Sequence, residues 1–221
     1  YHGGIGTDHL NQENLQALKN GFSNLTRHLH NIKENYGLKV VVCINHFTFD
    51  TDDETDLLQK MCSDLGVKSV VSKHWAEGSV GAQELAKEVL NIVDNTEAKI
   101  KYLYEDNLPL WDKIQTVATK IYGAKEISAS GKVRAQIKKL QENYGDLPIC
   151  MAKTQMSFTT NPTELGAPSG HIVEISSVKL ENGAGFIVAI AGNMMTMPGL
   201  PKVPTAEKID IDEDGVISGL F

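Results

Sequence analysis

Long apolar runs are missing from this chain. None approaches the roughly 18 residues of a membrane-spanning helix, so no membrane partner is expected. No secretory leader pattern stands at its start. An excess of basic residues is missing too: 21 Lys and Arg face 28 Asp and Glu, for a net charge of −7. That balance argues against a general nucleic-acid binder. Cysteine is sparse and odd in number. Cys43, Cys62 and Cys150 form no C-x-x-C pair. Free thiols in a reducing cytoplasm are expected, with Cys43 and Cys150 buried because both lie inside apolar runs. The phosphate-binding loop pattern G-x-x-x-x-G-K-[ST] is absent. Lys132 follows Gly131, but no Gly stands five positions before Gly131, and Val133 replaces the hydroxyl residue. An initiator Met is also lacking, and Tyr1 begins inside the Gly-rich stretch YHGGIG, as in a piece of a longer polypeptide.

What is present suits one large or two small domains: 221 residues, 41% of them hydrophobic. Residues 39–81 organise the rest. The β-branched run Val40-Val41-Val42-Cys43-Ile44 predicts a strand buried on both faces. A helix follows over residues 51–65, with Thr51 and Glu54 as a capping box and Leu57, Leu58, Met61 and Leu65 as its apolar stripe. Gly66 stops it, residues 67–71 predict a second strand, and residues 79–93 a second helix. Strand, helix and strand at this spacing make a parallel crossover unit.

Ligands of open parallel sheets sit beyond the carboxyl ends of the strands. Phe47 lies just past the first strand and Trp75 just past the second, so both aromatics leave the sheet at one edge. Adjacent strands lie about 5 Å apart, and strands with one between them about 10 Å. A flat ring between two aromatic faces needs roughly 7 Å from face to face. The pair is a candidate clamp for a planar heterocycle. Asn45, directly after the first strand, either contacts a nucleotide base or ties down the loop. The acidic group Asp50, Asp52, Asp53, Glu54 and Asp56 fits the first turn of a helix, where carboxylates meet the helix dipole, and no metal site is expected there.

Elsewhere, Leu15, Leu18, Phe22, Leu25, Leu29 and Ile32 mark a first helix over residues 12–35, with Asn11 as N-cap and Gly37 as stop. His28 and His30 are two apart, so they point to different faces and are not a metal pair. Helices are expected over residues 109–121 and 131–144, the latter with a basic face of Lys132, Arg134, Lys138 and Lys139. A short strand follows over residues 147–152, and Lys153 leaves its end toward a ligand or toward water. HIVEISSVKL and FIVAIAG predict an antiparallel hairpin turning at Asn182-Gly183. Pro198, Gly199, Pro201 and Pro204 predict an irregular ordered loop. Asp210, Asp212, Asp214 and Gly215 imitate a calcium loop, but Phe221 stands where its bidentate Glu belongs, so a turn between two short strands is expected. The fold class is therefore α/β, with parallel β–α–β units and flanking helices, plus a mixed or antiparallel C-terminal β segment. A division follows at residue 95: residues 1–95 carry the aromatic pair, and residues 96–221 carry the hairpin and Pro-rich loop.

The stretches ENLQALKNGFSNLTRHLHNI, VVVCINHFTFDTDDE, KHWAEGSVGAQELA, LPICMAKTQMSF and GAGFIVAIAGNMMTMPGLPKVPTAEKIDID resemble, in order, the C-terminal part of formate–tetrahydrofolate ligase. The resemblance implies an enzyme that uses Mg-ATP, through formyl phosphate, to join formate to tetrahydrofolate, giving 10-formyltetrahydrofolate, ADP and phosphate. It implies that Phe47 and Trp75 sandwich the pterin, and that the phosphates are held by an N-terminal segment of the same enzyme. No catalytic residue and no tightly bound cofactor are expected in this stretch. The segment alone would be inactive, and the full-length enzyme would be a homo-oligomer. One departure is GSVG after Trp75, where many members carry adjacent glycines. Two other readings share the residues: a non-catalytic binding or assembly module, and a nucleotide-binding α/β domain with no folate role.

Overall fold

The computed structural model of the protein describes residues 1–194 and 202–219. Helix α1 (Leu15–His30) is capped by Asn14, whose side chain accepts from the Ala17 N–H. The cap is therefore not Asn11, and the helix starts three residues later than its pattern suggested. One wider turn, Asn31–Asn35, extends it before Gly37, at φ +68°, ends the run. Strand β1 (Val41–Asn45), helix α2 (Asp52–Asp64) and strand β2 (Lys68–Ser72) follow. β1 and β2 pair in parallel as a two-stranded sheet, with Asn45 opposite Ser72.

Half of the expected capping box forms. Thr51 accepts from the Glu54 N–H, but the Glu54 carboxylate takes the Asn14 N–H at 2.8 Å instead of closing back on Thr51. That bond joins the starts of α1 and α2. Gly66, at φ +65°, stops α2 as expected. β1 is not buried on both faces: Ile44 is its one buried residue, and Cys43 and Asn45 are exposed. The expected burial fails for two of the three thiols. Cys43 and Cys150 are exposed, and Cys62, on the inner face of α2, is buried. An apolar run fixes the element; its burial depends on what lies against both faces.

After β2 come the single turn α3 (His74–Glu77), a 3-10 segment at Gly78–Ala82, and α4 (Gln83–Asn95). The second half builds on α5 (Leu110–Lys120), β3 (Glu126–Ala129), α6 (Gly131–Tyr144), β4 (Ile149–Ala152), β5 (Ile172–Glu181) and β6 (Phe186–Ala191). The strand order is β3-β5-β6-β4. β3 runs parallel to β5, β4 runs parallel to β6, and the β5–β6 hairpin is antiparallel. Strand β3 escaped the sequence reading because it has four residues and only Ile127 is buried.

Alternation makes the core of this sheet. Val173, Ile175 and Val178 of β5 and Ile187, Ala189 and Ala191 of β6 point inward against Leu110, Ile114 and Ala118 of α5 and Val133 and Ile137 of α6. A Lys lies inside this layer. Lys113 is fully buried, and its Nζ donates to the Gly145 and Leu147 carbonyls at 2.7 and 3.0 Å. Tyr104, below that ammonium, accepts from the Ile149 N–H at 2.9 Å. These bonds fix the turn that feeds β4. The short strands β7 (Asp210–Ile211) and β8 (Ile217–Ser218) pair around the Asp-rich turn, as expected. Among the described residues no cluster of His, Cys, Asp and Glu could hold a metal ion, and no helix is long and apolar enough to cross a membrane. The loop expected around Pro198, Gly199 and Pro201 lies outside the described residues.

Candidate functional site

The site residues sit where β1 and β2 end. Parallel pairing in register puts Asn45 and Ser72 side by side, so the chains after them depart at one edge. The His46 N–H still reaches the Ser72 carbonyl at 3.0 Å. A tight turn then projects Phe47. The Asp50 carboxylate accepts from the Phe47 N–H at 2.8 Å, and the Asp50 N–H returns to the Phe47 carbonyl at 3.1 Å. Two of the acidic residues thus have local work, Asp50 in this turn and Glu54 at the start of α1.

Trp75 rides on the single turn α3, which is pinned from both sides. Buried Ser72 hydrogen-bonds His74 Nδ1 at 2.8 Å, and the Lys73 N–H donates to the Gly81 carbonyl at 3.0 Å. A Cβ on Gly81 would lie 2.5 Å from the Lys73 carbonyl carbon, so this approach needs glycine. Gly78, at φ +60°, turns the chain out of α3. The two glycines of GSVG therefore have separate tasks, one in conformation and one in packing.

Phe47 and Trp75 meet. Their ring centroids are 6.1 Å apart and their planes are tilted by 55°. Phe47 is 44% exposed and Trp75 66%. Neither belongs to the core, and the spacing agrees with adjacent strands. The open slot expected between parallel faces is not formed: the rings close on one another in a tilted contact, since an empty gap forfeits dispersion contacts on both faces. Admitting a flat ligand requires the planes to swing toward parallel and the rings to part to roughly 7 Å. Asn45 is exposed at the same edge. So is Phe49, 61% exposed; the sequence reading passed over it, although it stands only two residues after Phe47.

The chain matches the family model for formate–tetrahydrofolate ligase over residues 1–221. It belongs to that family. It is 60% identical over 221 residues to the formate–tetrahydrofolate ligase of Methylococcus capsulatus, covering all of this chain and 40% of the relative. The ligase of Methylibium petroleiphilum is 53% identical over 225 residues, again across all of this chain and 40% of the relative. That of Granulibacter bethesdensis is 49% identical over 221 residues and is covered to 38%. The chain spans about 40% of the length of these curated relatives.

Proposed function

We propose that this chain is the tetrahydrofolate-binding portion of an enzyme that joins formate to tetrahydrofolate with Mg-ATP, giving 10-formyltetrahydrofolate, ADP and phosphate. The observation that carries the proposal is the meeting of two exposed aromatics, Phe47 and Trp75, at the carboxyl edge of a parallel strand pair in a member of this ligase family. The rings part to accept the pterin between them, which orients the amine that takes the formyl group. Asn45 contacts the bound molecule or its loop.

Phosphoryl transfer needs backbone N–H groups, a Lys and a metal ion arranged around the phosphates. These residues carry no phosphate-loop pattern, so that chemistry belongs to the remainder of the enzyme. The division of labour is between residues 1–95, which present the aromatic pair, and residues 96–221, which form the stable α/β body. The exposed apolar side chains of α4, Leu90 and Val93, beside the two-stranded sheet are where the rest of the enzyme packs. The complete enzyme is a homo-oligomer.

Calorimetric titration of the full-length enzyme tests the reading. Trp75→Ala removes one stacking face and its burial, and should weaken tetrahydrofolate binding by about 1–3 kcal/mol, or about 5- to 150-fold. ATP affinity should stay within about two-fold, because no contact to the phosphates is lost. Unchanged folate affinity in this variant would overturn the proposal.

A further inference from the structure

A second pocket lies at the carboxyl end of β4, in the other sheet, and nothing in the folate reading uses it. Lys153 follows Ala152, the last residue of β4. β4 runs parallel to β6, so these two strands end at this edge while β3 and β5 begin there. The pocket is about 350 Å³, and its lining includes Lys153, Thr154, Gln155, His28, Tyr122 and Phe158. That volume is at the small end of ligand sites.

The Lys153 ammonium donates to the carbonyls of Thr154, at 2.6 Å, and Ser157. It also lies 5.1 Å from the centre of the Tyr122 ring. Two carbonyl dipoles and a ring face orient a cation without neutralising it. Among the described residues no carboxylate lies within ion-pair distance of it. An ammonium has three N–H donors, and two are taken by carbonyls. One donor and a half-buried charge remain. Burial pushes the Lys153 pKa down to about 8, the direction set by a charge that lacks a counter-ion.

One further cation and two imidazoles lie nearby. The Arg27 guanidinium lies 5.5 Å from the centre of the Phe158 ring, and the His28 ring is 4.7 Å from the same ring. Burial lowers the His28 pKa, and His2 and Lys153 lower it further. Burial also lowers that of His171, with Glu164 and the nearby Phe158 backbone opposing and Lys153 and Arg27 adding to the fall. Both His171 ring nitrogens are buried, and the Phe158 backbone approaches the ring without reaching good hydrogen-bond geometry. Lys153 is the cation that lines the pocket, and Arg27 and Glu164 stand close enough to bias His171 in opposite directions, in a chain whose net charge is −7. A half-buried lysine with no carboxylate at ion-pair distance is a local arrangement in an acidic protein.

We propose that this pocket binds a small oxyanion-bearing ligand, its carboxylate or phosphate group meeting Lys153 and its apolar part lying against Phe158 and Tyr122. The aromatic wall favours a ligand with a short carbon or ring portion over a bare inorganic ion, and the single remaining Lys donor favours one anionic group there. The site is independent of Phe47 and Trp75.

Lysine labelling of the full-length protein, read by mass spectrometry at pH 7.5, tests this without any substitution. Lys153 should acylate about ten-fold faster than Lys132 on the exposed face of α6, since more of it is neutral. Inorganic phosphate or glutarate should slow Lys153 labelling about five-fold at saturation and leave Lys132 unchanged, because a bound anion restores the proton. Protection by phosphate alone identifies a phosphate ligand, and protection by glutarate a carboxylate. No protection of Lys153 by either anion, or equal protection by potassium chloride at matched ionic strength, would overturn the proposal. Lys153→Met should abolish calorimetric binding of the protecting anion.

Discussion

The two sheets of this molecule differ in how completely they cover themselves. β3–β6 with α5 and α6 enclose a continuous core in which Ile114, Val173 and Ala189 have no exposure. β1 and β2 hold one buried residue each, Ile44 and Ser72, while α4 beside them leaves Leu90 59% and Val93 67% exposed. The larger sheet is held by its own packing. The smaller one is held by backbone pairing, two helices and local bonds such as Ser72–His74 and Lys73–Gly81. The exposed aromatic pair rides on the smaller sheet. The proposed parting of these rings suits an edge that is positioned but not sealed.

Truncation should expose the contrast most strongly. Ile114→Ala empties a sealed site and should cost about 2–5 kcal/mol in urea unfolding. Val93→Ala should change stability by no more than about 0.5 kcal/mol in the isolated chain. Equal losses would show that the two layers are packed alike. In the complete enzyme, a much larger loss from Val93→Ala would show that its face is covered there.

Much of this arrangement was legible in the sequence. Periodicity placed α1, α2, α5 and α6, and the Asn182-Gly183 turn placed the hairpin. Asn45, Phe47 and Trp75 fell at one edge because parallel strands in register must end together. Burial was less legible. The run from Val40 to Ile44 reads as a doubly covered strand, yet Cys43 is exposed, since no second layer among the described residues lies over it. The cap of α1 moved from Asn11 to Asn14 because Glu54, forty residues away, holds the Asn14 N–H. The closed state of the rings could not be read either. Sequence fixes where each ring leaves the sheet, and side-chain contact fixes the 55° tilt.

A smaller effect is a pH dependence located in the larger sheet. Lys153 titrates near 8 in the folded state and near its ordinary value, about 10.4, when unfolded. Between these values the unfolded chain holds a proton that the folded chain has released, so stability gains from rising pH. Tyr122, pushed up to about 12 chiefly by burial, works in the opposite direction above about 10. The stability difference between wild type and Lys153→Met should therefore shift in favour of wild type from pH 8 to 9.5, measured as urea midpoints. A difference independent of pH would place Lys153 in water.

The aromatic pair can be observed directly. The chain has two tryptophans, Trp75 and Trp111, and a full-length variant that keeps Trp75 while Trp111 and any tryptophan elsewhere in the enzyme are replaced by Phe makes the indole of interest the single emitter. Adding tetrahydrofolate to that variant of the full-length enzyme should quench Trp75 fluorescence saturably, since stacking puts a ring against its face. Phe47→Ala should raise the half-saturation concentration by about five-fold or more. Folate binding seen by calorimetry with no change in Trp75 emission would contradict the clamp.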